Sequence, residues 1–361
     1  MRPFHSRADK AALDDLRLRL HATRWPPALS ADWTYGFPVP ELQEICRYWA
    51  DEFDWRRAEA AMFAWPHFQI EIGGFCIHFV HIRSQRAGAP ALVLTHGWPG
   101  SFLELLPLAP LLPDFDLVIP SLPGFAFSPH PGTPGCDTAV IAGLWASLMT
   151  ALGYDRFGVH GGDIGASVST LLGSQYPERI LGVHLNYLPG AYYPELASTE
   201  PITAAEEAFL AEKALWANAQ GGYEHLQRTQ PQTLSYGLND SPAALAAWML
   251  DRFRNWSDCD GQLTPYFQID DLLANVALYW LTGSTASSFR LYTERWPAFA
   301  PVRVPCAFAR FPREISLPPR SWVERGYHIV RWTEMPRGGH FAAWEQPALL
   351  ATDLREFFAC D

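Results

Sequence analysis

The run Val159-His160-Gly161-Gly162-Asp163-Ile164-Gly165-Ala166 sets a central aspartate between small residues, at the spacing small-x-nucleophile-x-small. A strand-like run precedes it and a helical pattern follows. Asp163 therefore falls on a sharp strand-to-helix turn, where a helix N-terminus favours an ionised carboxylate. A carboxylate held there can displace a leaving group from a saturated carbon and become an ester that the same site must hydrolyse. Epoxide opening and dehalogenation head the short set of reactions that fit. The GxDxG pattern alone is weak in a chain with 26 glycines; its flanking elements give it force. Serine-esterase chemistry is disfavoured by the aspartate itself.

Other residues complete the chemistry. His340, in Gly338-Gly339-His340-Phe341, lies between the last strand signal and the last helix, where it can reach the turn and act as general base on water. Glu314, in Phe311-Pro312-Arg313-Glu314, follows the strand signal 304–309 and suits the acid that orients the histidine. The rival position after the strand 180–185 holds no acid before Glu195. The chain order is thus nucleophile, acid, histidine: Asp163, Glu314, His340. His96-Gly97-Trp98-Pro99-Gly100 follows the strand 91–95, so the backbone N–H groups of Trp98 and Ile164 are the expected oxyanion donors, and His96 is read as structural. A leaving alkoxide needs a proton, and a phenol of pKa about 10 suits it. Tyr236 and Tyr292 are the candidates, among thirteen tyrosines.

These residues need a scaffold. Continuous apolar runs at 91–95, 116–120, 157–160 and 180–185 suit strands buried on both faces of a parallel sheet. Helical patterns at 138–152 and 165–175 alternate with them, which predicts an α/β doubly wound, mostly parallel sheet. Strand signals resume at 304–309 and 328–332, and a helix over about 342–358 closes the chain. Between the two parts, residues 190–296 carry helical patterns and read as an inserted lid. Ser241-Pro242 starts one of its helices, and another covers about 268–282. Residues 1–88 read as an N-terminal arm, with helices at 10–24 and 40–61 and a hairpin turning at Gly73-Gly74. The sheet core then spans 89–189 and 297–361.

Of 361 residues, 48% are hydrophobic and only 18% charged, ample for a large core. The net charge of −11, without a Lys or Arg cluster, disfavours nucleic acid as a partner. Six scattered cysteines form no CxxC pair, which speaks against zinc and redox motifs and points to a reducing, cytoplasmic compartment. No apolar run is long enough to span a membrane, and the first residues lack the apolar core of a signal peptide.

Together the motifs resemble the epoxide hydrolases of the α/β-hydrolase family, closest to the microsomal and juvenile-hormone branch and its bacterial relatives. The likeness covers nearly the whole chain. Asp32-Trp33-Thr34-Tyr35-Gly36, Tyr48-Trp49 and Phe53-Asp54-Trp55-Arg56 look like that family's N-terminal domain. His96-Gly97-Trp98-Pro99 matches its HGxP signature, and the segments around Asp163, Glu314 and His340 match its elbow, acid and histidine. Tyr236 and Tyr292 match its two lid tyrosines. The resemblance implies hydrolysis of a small-molecule epoxide to a vicinal diol, with no metal or organic cofactor. The microsomal enzyme carries an N-terminal membrane anchor, whereas this chain starts at the N-terminal domain, so a soluble enzyme is expected; a homo-oligomer, as a dimer, stays open. A haloalkane or haloacid dehalogenase shares the nucleophile, but its halide needs donors rather than an acid, and the paired tyrosines speak against it. A ligand-binding protein on the same scaffold usually lacks one triad member, and all three are present.

Overall fold

The computed structural model describes residues 1–190, 192–194, 201–294 and 296–359. Glu195, Cys360 and part of the expected lid therefore lie outside the described residues. The helical spacing near the N-terminus gives α1 (Lys10–His21), started by Asp9, whose side chain accepts from Ala11 N–H. The helix expected over 40–61 is two, α2 (Val39–Asp51) and α3 (Trp55–Met62). Asp54 divides them: its carboxylate accepts from the N–H groups of Arg56 and Arg57 and so begins a new helix.

Strand β1 (Arg2–Pro3) pairs with β2 (His67–Ile72), which pairs antiparallel with β3 (Phe75–Ile82). The β2–β3 turn needs positive φ at both central positions, and Gly73 and Gly74 supply 58° and 82°. The hairpin extends a sheet made by β4 (Ala91–Thr95), β5 (Asp116–Pro120), β6 (Phe157–Gly161), β7 (Ile180–Leu185), β8 (Val302–Arg310) and β9 (Tyr327–Glu334). Among the described residues the order is β1-β2-β3-β5-β4-β6-β7-β8-β9. From β5 to β9 every neighbouring pair is parallel, and β3 joins β5 antiparallel. This is the doubly wound, mostly parallel sheet that the apolar runs require. All five residues of β4 and of β6 are buried, as central strands covered on both faces must be.

Helices α4 (Thr138–Ala151) and α5 (Asp163–Gln175) pack on the sheet. The inserted block holds α6 (Ala204–Gln220), α7 (Gly222–Thr229), α8 (Pro231–Asp240), α9 (Pro242–Trp256), α10 (Ile269–Thr282) and α11 (Thr285–Arg290). Ser241 caps α9 through its side chain, accepting from Ala244 N–H, with Pro242 at the first helical position. A short α12 (Arg320–Glu324) leads into β9. The single closing helix expected over 342–358 is broken into α13 (Ala342–Glu345) and α14 (Pro347–Phe358), because Pro347 pushes Gln346 out of the helical region, to φ −140°. No helix among the described residues is long and apolar enough to cross a membrane. The five described cysteines are free thiols.

Candidate active site

Strand β6 ends at Gly161 and α5 begins at Asp163, so the carboxylate sits on the turn between them. Asp163 has φ 48°, a left-handed conformation that costs a non-glycine residue on the order of 1–3 kcal/mol. Close packing holds it there. A Cβ on Gly165 would lie 2.0 Å from the Thr95 carbonyl oxygen, so only glycine lets α5 press against the end of β4. A Cβ on Gly97 would lie 2.3 Å from the Asp163 Cβ, so the loop after β4 touches the strained residue directly.

That loop supplies the first expected donor: Trp98 N–H donates to Asp163 Oδ1 at 2.9 Å. Ile164 N–H lies in the first turn of α5, where no intrahelical carbonyl is available to it. His96 is fully buried; its Nε2 accepts from Leu122 N–H and its Nδ1 faces the Gly97 carbonyl. Burial pushes His96 down to about 4, so it stays neutral and serves as a structural pin.

The other carboxylate oxygen, Asp163 Oδ2, lies 3.5 Å from His340 Nε2. On the far side of the ring, His340 Nδ1–H donates to Glu314 Oε1 at 2.7 Å. Glu314 Oε1 also accepts from Ile315 N–H, which fixes the carboxylate. His340 is anchored through its backbone N–H to the Trp256 carbonyl, and its ring meets the rings of Tyr187 and Trp256 edge-on. Burial works against a charged imidazole here, but Glu314 and Asp163 outweigh it and hold His340 well above its ordinary value. The structure thus brings Asp163, Glu314 and His340 together in one chain of contacts.

Tyr292 is buried, and its ring stands perpendicular to Trp98. It lines a cavity of about 300 Å³ together with Asp163, Ile164, Tyr187, Tyr223 and Trp296. Tyr236 requires a correction. Its ring is 72% exposed and lines no wall of that cavity. The buried stripe of α8 runs through Ser235 and Leu238, and Tyr236 points away from it. Tyr223 occupies the position opposite Tyr292: it is buried, stacks on Trp98 at 5.4 Å with the rings 9° apart, and its ring lies 6.3 Å from that of Tyr292. Burial, reinforced by the charge of Asp163, raises both phenols well above 10, so both stay protonated donors. Helical phase was the available signal, because Tyr223 and Gln227 form the buried stripe of α7. Among the described residues no group of three or more His, Cys, Asp or Glu side chains is arranged to hold a metal ion.

Known proteins resemble this chain over nearly its whole length. Residues 1–105 match the family model described as "Epoxide hydrolase N terminus", and residues 90–222 match that of the α/β hydrolase fold. The chain is 36% identical to epoxide hydrolase 1 of Oryctolagus cuniculus, over 99% of this chain and 88% of the relative. The chain belongs to the epoxide hydrolase family. It is also 34% identical to juvenile hormone epoxide hydrolase 2 of Ctenocephalides felis, over 98% of this chain and 84% of that one. The solved structure of the Aspergillus niger epoxide hydrolase superposes with a TM-score of 0.88 at 33% identity, covering 99% of this chain and 95% of that one. This family member is accordingly a hydrolase of the class acting on ether bonds, on the α/β-hydrolase fold.

Proposed function

We propose that the protein adds water to a small-molecule epoxide through a covalent hydroxyalkyl ester of Asp163, releasing a vicinal diol. The observation that carries this reading is the placement of one carboxylate. Asp163 is held by Trp98 N–H and faced by His340 Nε2, and it also opens onto a cavity walled by two protonated phenols. Tyr223 and Tyr292 hydrogen-bond the epoxide oxygen, and Asp163 Oδ2 attacks a ring carbon from behind. The ring C–O bond breaks, and the alkoxide takes a phenolic proton. His340 then takes a proton from water, whose oxygen attacks Asp163 Cγ. The oxyanion forms at Oδ1, where Trp98 N–H already donates and Ile164 N–H is the second donor. Each such donor contributes about 3 kcal/mol in comparable acyl chemistry. As the intermediate collapses, the bond from Cγ to the alkyl oxygen breaks, the diol leaves with the proton from His340, and the proton left on the regenerated Asp163 carboxyl passes to His340.

Charge orders the two steps. Before reaction, two carboxylates face His340 and keep its proton on. Ester formation neutralises Asp163 and removes one of them, so His340 falls toward its ordinary value, passes its proton to the phenolate left by ring opening, and stands as the free base when water must be activated. Two buried phenols suit an alkoxide that needs a proton better than a halide that does not, which favours epoxide opening over dehalogenation. The free thiols of the five described cysteines support a reducing, cytoplasmic compartment.

The test is the variant His340→Gln mixed with excess styrene oxide and digested. A mass increment of one styrene oxide on the peptide holding Asp163 is expected. Unmodified peptide, with the epoxide consumed at the wild-type rate, refutes the covalent route.

A further inference from the structure

Asp163 borders two cavities, and among the described residues it alone is common to both linings. The larger is walled by the two phenols. The smaller offers about 20 Å³ to the centre of a water and is lined by Gly97, Trp98, Glu104, Asp163 and His340, among others. A single water needs about 10–15 Å³ by this measure and two to four polar partners, so the space fits one water. Glu104 has no part in the chemistry described so far, and no sequence pattern drew attention to it. It follows the Trp98 loop, in the 3₁₀ stretch Phe102–Leu111. Its carboxyl lies over the Gly100 turn so closely that a Cβ on Gly100 would meet Oε2. No ion pair to Glu104 exists among the described residues.

A carboxyl placed in such a spot is costly unless something polar comes to it. Burial pushes it up to about 8, with the charge of Asp163 adding to this and His340 and Gly97 N–H opposing it. The other titratable neighbours are Tyr279 of α10, which is raised by burial and by Glu104, and the neutral His160 on the cavity wall.

We propose that Glu104 is a positioning residue for ester hydrolysis, holding in this small cavity the water that His340 deprotonates. This rests on the covalent reading above. The water gives one hydrogen to His340 Nε2 and the other to a Glu104 carboxyl oxygen, which aims its lone pair at Asp163 Cγ. The O–H bond to His340 breaks as the bond to Cγ forms. Epoxide opening, on the other side of Asp163, makes no use of Glu104.

Single-turnover rates with styrene oxide test the assignment, because they resolve ester formation from ester hydrolysis. Glu104→Leu removes both hydrogen-bonding oxygens at similar bulk. It is expected to leave ester formation within about twofold of wild type and to slow hydrolysis about 10- to 100-fold, so that the ester accumulates. Glu104→Gln keeps one carbonyl oxygen and is expected to recover part of that loss. Equal slowing of both steps, or hydrolysis unchanged in Glu104→Leu, overturns the proposal. If the leucine variant does not fold, an atomic-resolution crystal structure of the wild-type protein decides: a water bridging Glu104 and His340 Nε2 supports the assignment, and an empty or apolar-filled space overturns it. Wild-type protein that never forms the ester refutes the covalent reading itself. A wild-type ester with no split in the variants refutes only the role of Glu104.

Discussion

Replacing Tyr223 by phenylalanine separates the lid geometry seen in the structure from the pairing expected from sequence. The ring of Tyr223 is buried between Trp98 and Tyr292, so the change removes one hydroxyl and leaves the packing in place. The phenol donates to an oxygen that becomes an alkoxide in the transition state. A hydrogen bond to a charged partner is worth about 1.5–3 kcal/mol, and each 1.36 kcal/mol is tenfold in rate. Ester formation is therefore expected to slow by about 10- to 150-fold in Tyr223→Phe, and by a similar factor in Tyr292→Phe. Tyr236→Phe alters an exposed ring and should change nothing beyond about twofold. The assay is stopped-flow measurement of ester formation with excess styrene oxide, with thermal melts to confirm equal folding. If Tyr236→Phe slows ester formation as much as Tyr223→Phe does, or Tyr223→Phe stays within threefold of wild type, the assignment of the acids from burial and ring contacts is wrong.

Three further expectations follow from the same contacts. His340 is raised above about 6.5, its unfolded value, so its pairing with Glu314 and Asp163 stabilises the fold fully below that pH and less as pH climbs through the raised native value. The stability difference between wild type and His340→Gln, from urea unfolding, should shrink between about pH 6 and pH 9.5, and an equal difference at both would contradict this. Gly97→Ala forces a methyl against Asp163, and a displacement near 1 Å should lower turnover by at least about 100-fold; activity near wild type would show that the loop yields. Asp353 accepts from His184, Thr333 and Arg331 in a buried cluster beneath the sheet. Asp353→Ala removes the buried acceptor of His184 Nε2 and Thr333 and leaves Arg331 paired, among the described residues, with Glu356 alone; it should cost about 3–5 kcal/mol in urea unfolding, whereas a loss below 1 kcal/mol would mean that the cluster relaxes.

The elbow, the acid and the histidine were legible because each sits at a strand end, where an apolar run, a glycine-rich turn and one polar side chain coincide in sequence. The sheet was legible for the same reason: its central strands are buried on both faces and read as unbroken apolar runs. Helix ends were less so. Asp54 and Pro347 each divide a pattern that looks continuous, since apolar spacing carries on through a cap while the backbone does not. Tyr236 was misplaced because a motif context says nothing of which helix face a ring occupies; the buried stripe of α8 leaves it in solvent, and α7 brings Tyr223 to the cavity instead. Glu104 carried no local signal at all. Its significance comes from the Gly97–Gly100 turn folding over it and from His340, more than 200 positions away in the chain, closing the same small space.

The origin of the oxygen in the first molecule of diol bears most directly on the covalent step. A single turnover with enzyme in excess over styrene oxide, run in heavy-oxygen water, should give diol carrying only light oxygen, because the added atom comes from Asp163. A second turnover by the same enzyme should then yield labelled diol. Label already present in the first diol would mean that water attacks the epoxide directly, and the ester at Asp163 would have to be abandoned.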